Sequence, residues 1–279
     1  VQSGLWKGRT LYDLYTEAHT PWEWHAEIFS YARKLGLEVF STPFDKSAVE
    51  FLEDLSVSTY KIASFELTDH SLLRVVAETK KPIIMSTGMA SREEISESLD
   101  VLRKYGSNDI CLLYCVSGYP TPIGDANLLT MPLLAKEFDV VCGFSDHTLG
   151  SAVSVAATAL GASVIEKHFT LSRSDGGPDA VFSVEPQEFQ KLVSDCKAAW
   201  EALGKAEFRR KKSEQSNLIF RRSLYAVQDI KSDEIFTSQN VRIIRPGYGM
   251  PPKDLDNVLG QKASQFIKAG TPIVRDLVK

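Results

Sequence analysis

Two histidines each close a short apolar run, in Phe144-Ser-Asp-His147 and Ile165-Glu-Lys-His168. If those runs are neighbouring parallel strands, their ends lie about 5 Å apart, and two imidazoles there are within reach of one divalent ion. Water and a substrate oxygen would have to complete the coordination, which is a catalytic rather than a structural arrangement. The competing reading is a hydrogen-bonded histidine pair lining a pocket without metal. Glu166, two residues before His168, shares its face of the strand, so it is placed either to orient a ligand and act as acid or base or to form a plain salt bridge. Lys167 faces the other way. The remaining histidines, His19, His25 and His70, fall on a loop or on helices and read as surface or core residues.

Hydroxyls and lysines collect at the same kind of position. Ser41-Thr42-Pro43, Lys61 with Ser64 and Glu66, Ser86-Thr87-Gly88, Ser117-Gly118-Tyr119 and Ser145-Asp146 each follow an apolar run. Lysine supplies a point charge, and hydroxyls and turn amides supply donors, so the set suits an anionic, phosphate-bearing substrate. Any single Ser or Thr here is an ordinary turn residue; the convergence carries the signal.

The elements that must position these groups alternate. The apolar runs Leu37–Ser41, Tyr60–Ala63, Pro82–Ser86, Ile110–Val116, Val140–Phe144 and Ser163–Glu166 are separated by amphipathic stretches such as Ser71–Thr79, Arg92–Tyr105 and Ser151–Leu160. Continuously apolar strands are buried on both faces, as in a parallel sheet covered by helices. Strict alternation predicts a doubly wound sheet or a β/α barrel, and no G-x-G-x-x-G follows any run, which weakens the nucleotide-binding alternative. A barrel needs eight strands and six are counted, so a (β/α)8 TIM-type barrel is expected with its first βαβ segment preceding Val1. In such a barrel the strands' C-terminal ends form the active site, and the histidine pair, Glu166 and the hydroxyl and lysine clusters fall there. An earlier helix is expected near Pro21, capped by Thr20, with Trp24, Ile28, Ala32 and Leu35 at helical spacing and Trp22 and Trp24 packing it.

Around 209–216 the composition changes to a charged linker containing Arg209-Arg210-Lys211-Lys212. Residues 217–279 are turn-rich and β-rich, with strands near Arg222–Val227 and Val241–Ile244 and a short helix near Pro252–Val258. The expected organisation is therefore a barrel over 1–208, a linker over 209–216 and a small domain over 217–279. With 43% hydrophobic and 24% charged residues the chain is of globular composition, and 32 basic against 36 acidic side chains leave no surplus for a nucleic-acid partner. No apolar window is long enough to span a membrane, and Val1–Thr10 has no signal-peptide character. Cys111, Cys115, Cys142 and Cys196 show no metal-type pairing and read as buried thiols of a reducing cytoplasm.

Seven segments, taken together, resemble the sialic acid synthase family: Phe40-Ser-Thr-Pro-Phe-Asp45, Tyr60-Lys-Ile-Ala-Ser-Phe-Glu66, Met85-Ser-Thr-Gly-Met89, Tyr119-Pro-Thr-Pro122, Gly143-Phe-Ser-Asp-His-Thr148, Glu166-Lys-His-Phe169 and Gly177-Pro-Asp179. Leu5-Trp-Lys-Gly8, Leu11-Tyr-Asp-Leu-Tyr15 and Thr20-Pro-Trp-Glu-Trp24 are most similar to its pseudaminic acid branch, and the tail from about Ser216 resembles the family's antifreeze-like (SAF) domain. The resemblance implies a transferase that condenses phosphoenolpyruvate with the aldehyde of an acetamido-deoxy sugar. It implies His147 and His168 as ligands of a divalent metal, usually manganese, with magnesium or cobalt as alternatives. It implies Glu66 and Glu166 beside them as catalytic groups. Thr42, Lys61, Ser64, Ser86 and Ser145 match positions that hold phosphoenolpyruvate. Tyr119 and Asp179 match positions around sugar and metal, and Arg245 matches an arginine that reaches the acetamido group from the other subunit of a domain-swapped dimer. The chain departs from the family at Ser117, where sialic acid synthases carry asparagine. It also departs in the early barrel strands, which hold a glutamate and a lysine–glutamine pair in the family and are expected ahead of Val1. Three rival readings are the same condensation with another sugar, giving legionaminic or N-acetylneuraminic acid, a carbohydrate-binding protein that lacks the chemistry, and a phosphosugar aldolase or isomerase on a generic barrel.

Overall fold

The computed structural model describes residues 1–2 and 6–279; Leu5, part of the resemblance above, lies outside the described residues. The chain divides into two compact units, Val1–Gly204 and Lys205–Lys279. In the first unit the helices are α1 (Leu11–Ala18), α2 (Trp22–Lys34), α3 (Lys46–Asp54), α4 (His70–Glu78), α5 (Arg92–Lys104), α6 (Thr130–Phe138), α7 (Ala152–Ala159) and α8 (Pro186–Leu203). The strands are β1 (Tyr60–Ile62), β2 (Ile83–Ser86), β3 (Ile110–Cys115), β4 (Val141–Asp146) and β5 (Ile165–Lys167). They pair in parallel and in chain order, forming a half-barrel.

Local chemistry sets the boundaries. Asp45 accepts from the Ala48 amide at 2.9 Å to start α3, and Asp69 accepts from Ser71 and Leu72 at 3.1 and 3.0 Å to start α4. Ser91 and Glu94 form a reciprocal capping box on α5. Tyr60, Ile62, Ile83, Met85, Leu112 and Leu113 are buried between the sheet's neighbours, which is why the strands read as mostly apolar runs. Gly143 lets β4 and β5 close up: a side-chain carbon there would lie 2.4 Å from the Val164 carbonyl oxygen.

Three expectations are corrected. Leu37–Ser41 is extended but has no ladder partner among the described residues, so the sheet has five strands rather than six. Apolarity sends Val39 onto the core, but a strand also requires a hydrogen-bonded neighbour. Thr20 does not cap α2, which starts at Trp22 with Pro21 in the cap position and no side-chain bond. That helix buries His25 and Phe29, while Trp24, Ile28 and Leu35 are exposed. Trp22 stacks on Phe51 with ring centroids 4.5 Å apart, and Trp24 does not pack as expected.

In the second unit Lys212–Phe220 forms 3-10 turns, and β6 (Ser223–Ala226) pairs antiparallel with β7 (Val241–Ile244). A short helix α9 (Leu255–Val258) and several single bridges enclose a core of Leu224, Ile230, Phe236, Val241, Val258, Ile267 and Ile273.

Candidate active site

The C-terminal ends of β1, β2, β4 and β5 converge on one lysine. Lys61, on β1 and 7% exposed, donates to Ser86 Oγ of β2 at 2.9 Å and to the Ile62 carbonyl at 3.2 Å. Its Nζ lies 3.4 Å from Glu166 Oε2, and Glu166 Oε1 accepts from Ser145 Oγ at 2.6 Å. The β4–β5 register pairs Ser145 with Glu166 directly. A buried cation, two hydroxyls and a movable carboxylate counter-charge make a place where an anion can replace the carboxylate.

Ser64, Glu66 and Ser117 stand beside this cluster. Ser64 follows β1, lies 3.6 Å from Cys115 Sγ and accepts from the Gly88 amide at 3.0 Å. Glu66 Oε2 and Ser117 Oγ are buried and have no hydrogen-bond partner among the described residues. Buried polar atoms are ordinarily paired, so two orphans at one sheet end mark where a ligand's polar groups belong. Burial raises the Glu66 pKa above the usual carboxylate range; its own backbone hydrogen bond and the Lys61 charge oppose this only in part.

The two histidine rings stand side by side at the ends of β4 and β5, with centroids 5.2 Å apart and planes tilted by 55°. His147 Nδ1 lies 3.0 Å from the Val116 carbonyl and 3.8 Å from Cys115 Sγ. Burial lowers the His147 pKa, but Cys115, Val116 and the Glu166 charge outweigh it and the net shift is upward. Burial likewise raises Cys115, and the His147 contact turns its net shift downward. Asp179 Oδ2 lies 3.4 Å from His168 Nδ1. Tyr119 packs against His147 with centroids 4.4 Å apart and against Phe182 at 5.4 Å, and its hydroxyl pKa is raised, first by burial and then by Cys115.

With both Nδ1 atoms turned to oxygen neighbours, each imidazole keeps Nε2 as a lone-pair donor, the pattern that orients metal-binding histidines. The pair therefore fits a divalent ion as two nitrogen ligands. No group of three or more His, Cys, Asp or Glu side chains suited to a metal occurs among the described residues, so the other positions fall to water or substrate.

Thr42 sits half-buried in the extended segment after α2, and no hydrogen bond joins it to the cluster. Arg245 is exposed after β7 in the second unit. The structure adds three side chains to those read from the sequence. Cys115 links Ser64 to His147. Phe182 packs on His168 at 4.9 Å. Trp6 packs on Tyr119 at 5.6 Å and donates from Nε1 to the Pro178 carbonyl at 2.9 Å. Cys115 ends an apolar run and was legible as such; Trp6 entered only through the resemblance, with no role attached, and Phe182 carries no local signal, because the part each plays comes from contacts far along the chain.

The family model described as NeuB family matches residues 1–208, and the SAF domain model matches 221–279. The pseudaminic acid synthase of Helicobacter pylori is 46% identical over 277 residues, 99% of this chain and 82% of that protein. The N,N'-diacetyllegionaminic acid synthase of Campylobacter jejuni is 42% identical, over 88% of this chain and 74% of that protein. Among solved structures, the N-acetylneuraminic acid (sialic acid) synthetase of Leptospira borgpetersenii, in complex with citrate, aligns with a TM-score of 0.69 and 33% identity, covering 74% of this chain and 72% of that one.

Proposed function

From the premise that the chain belongs to the NeuB family, we propose that it condenses phosphoenolpyruvate with the open-chain aldehyde of 2,4-diacetamido-2,4,6-trideoxy-L-altrose, as a pseudaminic acid synthase. The observation that carries this reading is the Lys61–Ser86–Glu166–Ser145 cluster beside the adjacent rings of His147 and His168. C3 of the enolpyruvyl unit attacks the aldehyde carbon and the aldehyde oxygen takes up a proton. Water adds at C2, and phosphate leaves with cleavage of the C2–O bond. The products are a nine-carbon ulosonic acid and inorganic phosphate.

Each residue's part follows from its surroundings. Lys61 gives up Glu166 and pairs with phosphoenolpyruvate, whose oxygens accept from Ser64, Ser86, Ser145 and Thr42. Glu166, released from Lys61, is free to turn to the sugar. Glu66, whose pKa burial raises, is assigned the part of acid or base in the reaction. Tyr119 and Asp179 flank the sugar, and the buried Ser117 hydroxyl is placed to donate to a bound substrate. His147 and His168 would hold a divalent metal, manganese by family resemblance, which when bound polarises the aldehyde carbonyl. Arg245 is assigned to the sugar's acetamido group in a partner copy, which makes a homodimer the expected active form. Phosphoenolpyruvate is a cytoplasmic metabolite, and this sets the compartment of the reaction.

The relative at 42% identity that makes a legionaminic acid favours a second sugar of the same class. Incubating the chain with phosphoenolpyruvate, manganese and each candidate aldose, and measuring released phosphate, separates them. Phosphate release with the altrose derivative alone is the expected result. Release with another aldose reassigns the sugar, and sugar binding without release replaces the synthase with a binding protein.

A further inference from the structure

Gly88 lies two residues beyond Ser86, in the turn that follows the end of β2. Thr87 anchors the turn to β3: its amide and its hydroxyl both donate to the Leu113 carbonyl, at 3.0 and 3.2 Å. The Gly88 backbone is not in the left-handed region, so nothing in its conformation demands glycine. The demand is for space. A side-chain carbon on Gly88 would lie 2.2 Å from Ser117 Oγ, 2.8 Å from Ser64 Oγ and 3.2 Å from Cys115 Sγ.

All three obstacles are ends of side chains, not backbone. A serine hydroxyl can rotate to another staggered position, so an added methyl here displaces hydroxyls before it displaces the fold. The two hydroxyls nearest to it belong to the site. Ser64 Oγ is held by the Gly88 amide at 3.0 Å, and Ser117 Oγ is the buried hydroxyl that has no partner among the described residues. A hydroxyl buried without a partner is costly unless a ligand completes it, so its direction is a property the surrounding packing must enforce.

We propose that Gly88 is a positioning residue: the space left by its absent side chain aims the Ser117 and Ser64 hydroxyls at one bound anion, which on the proposed function is phosphoenolpyruvate. The amide of the same residue fixes Ser64, so one position sets both hydroxyls, one by contact and one by vacancy. Neither the alternation of strands and helices nor the spacing of the polar residues distinguishes this glycine from an ordinary turn glycine.

The test is a cycle on the full chain with Gly88→Ala, Ser117→Ala and the double variant. Steady-state kinetics are run in both substrates, and phosphoenolpyruvate alone is titrated by calorimetry. Gly88→Ala should raise the KM for phosphoenolpyruvate about tenfold, the loss of one hydrogen bond to a charged group, while the KM for the aldose stays within about twofold. With Ser117 already replaced by alanine, the same change should cost no more than about threefold, because the nearest atom it collides with is gone and only the lesser crowding against Ser64 Oγ, at 2.8 Å, remains. Independent, multiplicative effects overturn the proposal, as does an aldose KM that rises in step. If Gly88→Ala does not fold, a folded double variant supports the crowding at Ser117 and an unfolded one overturns it. A parent chain that neither binds phosphoenolpyruvate nor releases phosphate overturns the proposed function as well; an active parent with an additive cycle overturns the role of Gly88 alone.

Discussion

Replacing Lys167 with methionine should destabilise the first unit without touching any group that contacts substrate. Lys167 and Asp146 face each other in register across β4 and β5, and their side chains are 1% and 0% exposed. The ammonium lies 2.9 Å from Asp146 Oδ2 and also donates to the Thr148 carbonyl. Asp146 Oδ1 accepts from the Thr148 amide and hydroxyl, both at 2.8 Å, and Oδ2 accepts from Ser154 Oγ. Breaking a buried pair by removing one partner costs about 3–5 kcal/mol, because the other charge is left buried. Three remaining donors soften the loss for Asp146, which puts Lys167→Met near the lower end, about 3 kcal/mol. For a unit spanning Val1–Gly204 that is a fall in Tm of about 6–12 °C. Asp146→Asn strands the ammonium with only a carbonyl, so it should cost at least as much. The double variant should lose less than the two singles combined, by about 2 kcal/mol. Denaturant and thermal unfolding of the four proteins measure all of this. His147 and His168 directly follow the pair on the two strands, so manganese affinity, read by titration, should fall in Lys167→Met as well. Singles within about 2 °C of the parent, or a strictly additive cycle, would refute the claim that this pair fixes the two strand ends.

Other outcomes follow from the same geometry. A strong chelator should abolish phosphate release and manganese should restore it, while His147→Ala should stay inactive after the metal is returned; full turnover in metal-free protein removes the histidine pair from the reaction. Glu66 has a folded-state pKa raised by burial, so its stabilising contribution is complete below the unfolded-state value and is lost as pH rises through the folded value. Glu66→Gln should therefore unfold at higher denaturant than the parent at neutral pH, lose that advantage in acid, and release phosphate more slowly. Trp6→Phe keeps an aromatic ring near Tyr119 but loses the indole bond to Pro178, and Trp6→Ala loses both. Any change in tryptophan fluorescence on adding the aldose should shrink in both variants, and the aldose KM should rise more for alanine than for phenylalanine.

Much of the frame was legible without coordinates. Strands covered by helices on both faces are largely apolar, so β2 and β3 announce themselves as apolar runs, and Asp45, Asp69 and Ser91 mark helix starts through chemistry confined to three or four residues. Residue alternation along a strand also placed Lys167 on the face away from His168. These are local properties, carried by neighbours in the chain.

What the tertiary structure decided depends on neighbours far apart in the chain. Leu37–Ser41 is as apolar as a strand, but pairing needs a partner backbone that composition does not reveal. The apolar spacing of α2 singled out Trp24 and Ile28, yet the helix buries His25 and Phe29 instead, with His25 edge-on to Phe51 of α3 and Trp22 stacked on Phe51 while still exposed. Asp146 as the partner of Lys167, Glu166 as the counter-charge of Lys61, and the crowding of Ser117 against Gly88 arise where different strands meet. Residue types fix which chemistry is available, whereas distance and burial fix which groups share it, and both are set only when the sheet brings separate strand ends together.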